Sequence, residues 1–292
     1  MPAESQALLA MQAPNRTRDI LHAAEKGGYA VLAATAYNVE HITALVRAAE
    51  ASRSPLILLL FPSTLKQLPS LVFAASAACK ASTVPMSLHL DHAQDEAQIR
   101  YVVEHLPFDS IMVDMSHLSH TENLQKTREL TLLCHSHGIA VEAESGRING
   151  SEDGIAGTGD LEELLTNPEE MEDFLLAGVD IIAPCIGNIH GDYPAAGPKL
   201  DIQRLRHLNS ALAGRAAIAL HGTNDFSADL TQECIRNGVA KFNVNKLLLD
   251  EWNKFAQDKC DIPVTAMIDR GIDIVQRQTE KWMAICGSTN RA

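Results

Sequence analysis

Short runs of aliphatic and β-branched residues recur along the chain, separated by longer stretches in which apolar residues return every three or four positions. The short runs have the length and content of strands buried on both faces, and the longer ones have the period of helices with one apolar face. Strands are predicted over 29–36, 55–61, 85–90, 110–114, 138–144, 180–186, 216–220 and 239–244. Helices are predicted over 40–51, 95–106, 121–137, 168–177, 201–213 and 227–237. Strand and helix alternate, and parallel strands need such crossovers, so the pattern predicts a parallel sheet of βα units. Eight units in this order close into an α/β fold of the (β/α)₈ TIM-barrel kind. The GxGxxG turn expected after the first strand of an open doubly wound sheet does not occur.

Beyond the eighth strand the helical period continues over 247–258 and 269–285, with Pro263 marking the break. These stretches predict extra C-terminal helices packed on the barrel or on a partner subunit. Segment 145–167, rich in Gly, Glu, Asp and Asn, reads as a long loop after strand five and a candidate lid. No internal repeat or low-complexity tract interrupts the pattern, so residues 1–292 read as a single barrel domain.

Composition narrows the function. A formal net charge of -13 argues against nucleic-acid or anionic-membrane partners, so any bound phosphate must be held by local geometry. Six cysteines stand singly, without CxxC spacing, which predicts buried free thiols in a reducing compartment. The N-terminus lacks the basic and apolar regions of a secretory signal, and the apolar stretch around 55–62 is too short to span a bilayer. A cytoplasmic location is the expectation.

Barrel active sites form at the carboxyl ends of the strands, and here those ends are polar. Strand three ends in Leu88-His89-Leu90-Asp91-His92, strand five in Glu142-Ala143-Glu144, and strand eight in Asn243-Val244-Asn245. Strand six runs into Gly187-Asn188-Ile189-His190-Gly191 and strand seven into His221-Gly222. Three histidines at three strand ends can converge with carboxylates above the barrel axis, which suits zinc with an open coordination position. Gly191 and Gly222 allow close backbone approach and could offer N–H groups to an anion. His89 shares the face of Asp91 one layer deeper and reads as an interior hydrogen-bonded group. His117 and His120 read as surface or capping groups, and Glu142 as part of an interior network. Lys241 and Lys246 are the lysines nearest to Schiff-base positions, and Lys246 keeps that alternative open.

The order LHLDH, VEAE with a following Glu-Asp-Gly loop, GxxHGxY with PKLD, LHG, and KxNVN resembles the class II fructose-bisphosphate and tagatose-bisphosphate aldolases. The resemblance runs from Gly27-Gly28-Tyr29 to Cys286-Gly287 and is nearest, in length and ending, to the tagatose-bisphosphate branch. It implies that His92, His190 and His221 bind Zn²⁺, with Glu144 as an exchangeable ligand and a monovalent cation as a second candidate cofactor. It implies that Asp91 transfers the substrate hydroxyl proton, that Glu152 serves proton exchange on the nucleophilic carbon, and that Asn243 orients substrate. Asn38, Gly191, Gly222, Thr223, Asn224, Asn245 and Lys246 are the expected substrate contacts. A homodimer or higher homo-oligomer is expected.

The chain also departs from that family. Thr223-Asn224-Asp225 replaces the usual small residues and serine after the third histidine, Lys246 replaces a threonine, and Pro194 replaces a lysine. Phe61 stands where a polar residue is usual, and no arginine lies near Asp261-Ile262-Pro263-Val264 to reach a far phosphate. Three readings follow: a ketose-bisphosphate aldolase with altered phosphate contacts, a zinc aldolase for a hydroxy-ketone with one phosphate or none, and an inactive metal-binding paralogue. Intact Asp91 argues against the third, and the motif order argues against a zinc hydrolase on the same barrel. The altered phosphate contacts make fructose 1,6-bisphosphate an expected poor substrate.

Overall fold

A computed structural model describes residues 14–150, 164–258 and 261–292. Eight parallel strands form a closed barrel: β1 (Val31–Thr35), β2 (Leu56–Leu60), β3 (Met86–Ala93), β4 (Ser110–Val113), β5 (Ala140–Ser145), β6 (Ile181–Pro184), β7 (Ala217–Leu220) and β8 (Val239–Val244). Neighbours in the ring follow chain order, and β8 closes onto β1. Every predicted strand is present, shifted by a few residues at its ends. Between and around the strands lie α1 (Arg16–Gly27), α2 (Val39–Ser52), α3 (Pro62–Gln67), α4 (Leu71–Ala81), α5 (Glu96–His105), α6 (His120–Ser136), α7 (Pro168–Leu176), α8 (Ile202–Leu212), α9 (Ala228–Arg236), α10 (Lys246–Asp258) and α11 (Val264–Cys286).

Three of these helices escaped the sequence reading. The six residues of α3 are too few to show a period, and α4 reads LVFAASAACKA, an almost unbroken apolar run. Helix α1 precedes the first strand and has a function of its own. Ile20, Leu21 and Ala24 pack with Tyr29 against the inward residues Val31, Ala33, Ile57, Met112, Ala217 and Ala219, so α1 plugs the amino-terminal mouth of the barrel. The Asn15 side chain accepts the Arg18 N–H and donates to the carbonyls of Asp109 (2.8 Å) and Gly138 (2.9 Å), which ties the plug to the ends of two strands. Alternation sends Leu32, Leu58, Leu88, Ile111, Val141 and Ile182 outward into the helical layer.

The first C-terminal helix, α10, starts one residue before its prediction, and α11 starts five residues earlier than predicted, directly after Pro263. A proline with φ -56 is compatible with a helix start, where its missing N–H costs nothing. Trp282 of α11 stacks on Phe242 of β8 at 6.0 Å, so this helix packs on the barrel itself. Within the candidate lid, Asn149–Gly150 pairs in parallel with Ile189–His190, and Asn167 caps α7. Residues 151–163, including Glu152, lie outside the described residues. Cys79, Cys134, Cys185, Cys234 and Cys286 are buried thiols. Among the described residues, no helix is long and apolar enough to cross a membrane.

Candidate metal centre and active site

Beyond the apolar plug the barrel encloses polar side chains, among them His89, Asp91, Glu142, Lys241 and Asn243. Asp91 points inward by strand alternation, so His92, the next residue, would point outward in a regular strand. The backbone avoids that outcome. His92 has φ 47, in the left-handed region that non-glycine residues rarely adopt, and the β3–β4 register shifts between Leu90 and Ala93. The irregularity brings two consecutive side chains to the axis, and such strain persists where surrounding contacts enforce it. His190 is held from both sides by glycine. A Cβ on Gly150 would lie 2.0 Å from the His190 carbonyl oxygen, and one on Gly222 would lie 2.2 Å from that of Ile189. Both glycines have positive φ, at 108° and 62°, so the close approach and the backbone shape each require glycine.

The three imidazoles converge. Ring centroids of His92 lie 4.7 Å from His190 and 4.8 Å from His221, and candidate ligand atoms of all three lie within 4.8 Å of one another. Carboxylates hold two of them from behind. Asp114 Oδ2 lies 3.0 Å from His92 Nδ1, and Glu142 Oε1 lies 2.7 Å from His221 Nε2. Each carboxylate accepts the N–H of its histidine, leaving His92 Nε2 and His221 Nδ1 facing one another at 2.9 Å. His190 Nε2 is buried without a hydrogen-bond partner. Three inward nitrogens, two backed by carboxylates and one without any partner, form a donor set that fits a cation such as zinc.

Electrostatics agree with that fit. Burial disfavours the imidazolium of His92, but Asp91 and Asp114 overcome it and push the group up to about 10. Burial, reinforced by the charges of His92 and His221, holds His190 well below the ordinary histidine range. Burial and the neighbouring Asp114 charge raise Glu144 to about 8. Glu144 Oε1 accepts the Ile148 N–H at 2.8 Å, and the group lies beside His92 and Asp114 among candidate ligands.

On the other side of the histidines, Asn243 Nδ2 donates to Asp91 Oδ2 at 3.0 Å, while Asp91 Oδ1 is buried without a hydrogen-bond partner. Burial would raise Asp91, yet His92 and Lys241 hold it well below the ordinary carboxylate range. His89 lies one layer down with Nδ1 2.7 Å from Ser110 Oγ, the interior role expected of it. Glu142 joins the interior network, as expected. His120 sits at the start of α6 with Nε2 3.2 Å from Asp173 Oδ2, remote in role from the centre.

A cleft of about 530 Å³ opens above, lined by Tyr37, Asn38, Gly191, Asn224, Asn245 and Lys246 among others. Several expected substrate contacts reach it with their polar atoms already engaged. Asn38 caps α2 by accepting the His41 N–H, and Asn224 donates to the Gly191 carbonyl. Asn245 donates to Tyr37 Oη, and the Thr223 hydroxyl donates to the Asn243 carbonyl. Lys246 Nζ pairs with Asp192, and Lys241 Nζ is buried inside the barrel, so neither lysine presents a free amine for an imine. Asp225 accepts the Tyr193 N–H at 3.4 Å.

Asp114 has no role in the sequence analysis, and Lys241 enters it only as a lysine near a Schiff-base position. Asp114 follows Ser110 and Met112 on the inward face of strand four, so alternation places it at the barrel mouth. Lys241 stands two residues before Asn243 and shares its face by the same rule. An inward lysine between Glu142 and Asn243 was a readable signal.

Comparison with known proteins gives the family. The family described as "Fructose-bisphosphate aldolase class-II" matches residues 15–291. A protein of Coccidioides immitis (strain RS), named provisionally as a fructose-bisphosphate aldolase, is 44% identical over 287 residues and covers 95% of each chain. The fructose-bisphosphate aldolase of Streptococcus pneumoniae serotype 4 is 34% identical over 292 residues, covering 93% of this chain and 97% of its own. A crystal structure of the Coccidioides immitis protein superposes with a TM-score of 0.92 over 94% of this chain and 97% of that one. The YdjI aldolase of Escherichia coli K12, 23% identical, shares the fold with a TM-score of 0.79 over 93% of this chain and 96% of its own. With the barrel, the histidine centre and a match over nearly its whole length in hand, the chain belongs to the class II fructose-bisphosphate aldolases, a family of metal-dependent carbon–carbon lyases.

Proposed function

We propose that this aldolase binds zinc through His92, His190 and His221 and cleaves a phosphorylated ketose to a dihydroxyacetone-type product and an aldehyde. The observation that carries the reading is the convergence of three inward histidine nitrogens beside a buried aspartate held on its other oxygen by Asn243. When bound, the cation supplies the electrophile that polarises the ketose carbonyl and accommodates negative charge on the fragment that keeps it. The rest is the chemistry of the chain itself. The Asp91 carboxylate takes the proton of the hydroxyl on the carbon that becomes the aldehyde, and returns it in the condensation direction. Asn243 holds Asp91 Oδ2 by its amide N–H, and His89 Nε2 lies 3.5 Å from Oδ1, so the carboxylate is held from both sides. Glu144 lies close enough to His92 to exchange onto the cation, and its raised pKa makes a neutral resting form available. Glu152 is assigned to proton exchange on the nucleophilic carbon by its place in the Ser151-Glu152-Asp153-Gly154 motif. We assign the enzyme to the cytoplasm and to a homo-oligomer, with no nucleic-acid or membrane partner.

A second reading is favoured by the mouth. Lys246, the lysine on the cleft, is paired with Asp192, and Asp225 and Asp250 add carboxylates near the same rim. An acidic rim with its lysine neutralised suits a substrate with one phosphate or none better than a bisphosphate. A coupled cleavage assay over a panel of bisphosphorylated, monophosphorylated and unphosphorylated ketoses, with and without chelator, tests both readings. Chelator-insensitive cleavage overturns the metal reading. Fructose 1,6-bisphosphate cleaved with kcat/KM of about 10⁴ M⁻¹s⁻¹ or above overturns the second one.

A further inference from the structure

Lys241 is the longest polar side chain fully enclosed by the barrel, and a buried ammonium is costly unless something compensates it. The β8 strand is irregular where the lysine enters. Its register with β7 shifts between Val239 and Lys241, so Ala240 and Lys241 both turn inward before alternation resumes with Phe242 outward and Asn243 inward. A bulge of this kind re-aims a side chain. Here it delivers Nζ to a point 2.8 Å from Glu142 Oε2 and 2.8 Å from Asn243 Oδ1.

We propose that Lys241 is a positioning residue for the aldol reaction, anchoring the Asn243 amide that holds Asp91. An ammonium can only donate, so the Asn243 atom beside it must be the carbonyl oxygen. The NH₂ end then faces Asp91, where it donates to Oδ2 and holds the carboxylate against His89 Nε2, 3.5 Å from Oδ1. Without the ammonium, Asp91 Oδ2 still selects the NH₂ end, but the amide loses its second anchor and with it the fixed position from which it holds the carboxylate. The same ammonium occupies Glu142 Oε2, so the other oxygen of Glu142 is the one left to hold His221 Nε2. One buried charge thus orders the two sides of the site. The inference rests on the roles given above to Asp91 and Asn243.

The test is a double-mutant cycle on zinc-loaded enzyme, with Lys241→Met, Asn243→Ala and their combination. Each variant is measured for kcat, KM, thermal midpoint and zinc affinity by chelator competition. Lys241→Met is expected to lower kcat by roughly 10–100-fold, the scale of an outer positioning contact, with a smaller change in KM. In the Asn243→Ala background the same change should add little further loss in kcat, because the amide it positions is gone. Multiplying losses in kcat, or a fall in thermal midpoint with kcat unchanged, overturn the inference while leaving the reading of Asn243 intact. Asn243→Ala turning over at the wild-type rate overturns both. Should Lys241→Met alone fail to fold, the charge-neutral pair Glu142→Gln with Lys241→Met takes its place in the cycle, judged against Glu142→Gln alone by the same criteria.

Discussion

Gly222→Ala places a methyl group where the fold has no room, next to the segment that carries His190. The new Cβ would sit 2.2 Å from the Ile189 carbonyl oxygen and 2.7 Å from its carbon, so the Ile189 backbone must retreat by about 0.8 Å to reach even 3.0 Å. Ile189 and His190 are adjacent and paired to Asn149–Gly150, so they cannot move apart from one another or easily away from the second strand. The displacement therefore passes to the imidazole. A further cost comes from the backbone: alanine at φ 62 pays about 1–2 kcal/mol for the left-handed conformation. For a chain of this size that corresponds to a fall of roughly 2–8 °C in thermal midpoint. Gly214→Ala is the control, since it has φ 74 but nothing within 4 Å of its Cβ. Both variants should lose stability, but Gly222→Ala alone should weaken zinc binding, by roughly 10–100-fold. Chelator competition on both proteins reads the difference. Wild-type zinc affinity and turnover in Gly222→Ala would refute the reasoning that glycine here positions His190.

Asp91→Ala should fold, keep its zinc and lose carbon–carbon cleavage by roughly 10²–10⁴-fold, the scale of a positioned proton-transfer group. Turnover measured beside metal content checks it, and a near-normal rate in zinc-loaded variant removes Asp91 from that role. Burial lowers His41 from 6.5 to about 4, outweighing the raising effect of Glu40, so this group favours the folded state above about 6.5 and loses that contribution as pH falls toward 4. Between pH 7.5 and 5 the loss from this residue is about 2 kcal/mol. Urea unfolding at the two pH values should show a steeper loss in the wild type than in His41→Gln, and equal losses would contradict it.

Strand periodicity was legible because inward and outward positions are both buried in a barrel, so the runs are continuous and short. Helix α1 was not, since its apolar face of Ile20, Leu21 and Ala24 is set among charges and acquires meaning only from the barrel mouth it closes. At the site, alternation alone places Asp91, Asp114, Glu142, Glu144 and Asn243 inward, and the spacing of LHLDH carries that much. It cannot place His92, whose neighbour already points inward, because the left-handed turn at that residue has no signature in the chain. The reason for glycine at 222 was likewise half visible: the sequence offers a flexible residue after a histidine, and the structure adds the strand that presses against it. The substrate contacts were the least legible. Asn38, Thr223, Asn224 and Asn245 lie near the cleft, but which of their polar atoms are engaged depends on loop partners distant in sequence.

The central claim is that His92, His190 and His221 form one metal site. Its most direct test is metal analysis of purified, zinc-equilibrated wild type beside His190→Ala, the histidine whose buried Nε2 has no protein partner. The account predicts about one zinc per wild-type chain and a clear loss in the folded variant. Equal zinc in the two proteins would contradict it.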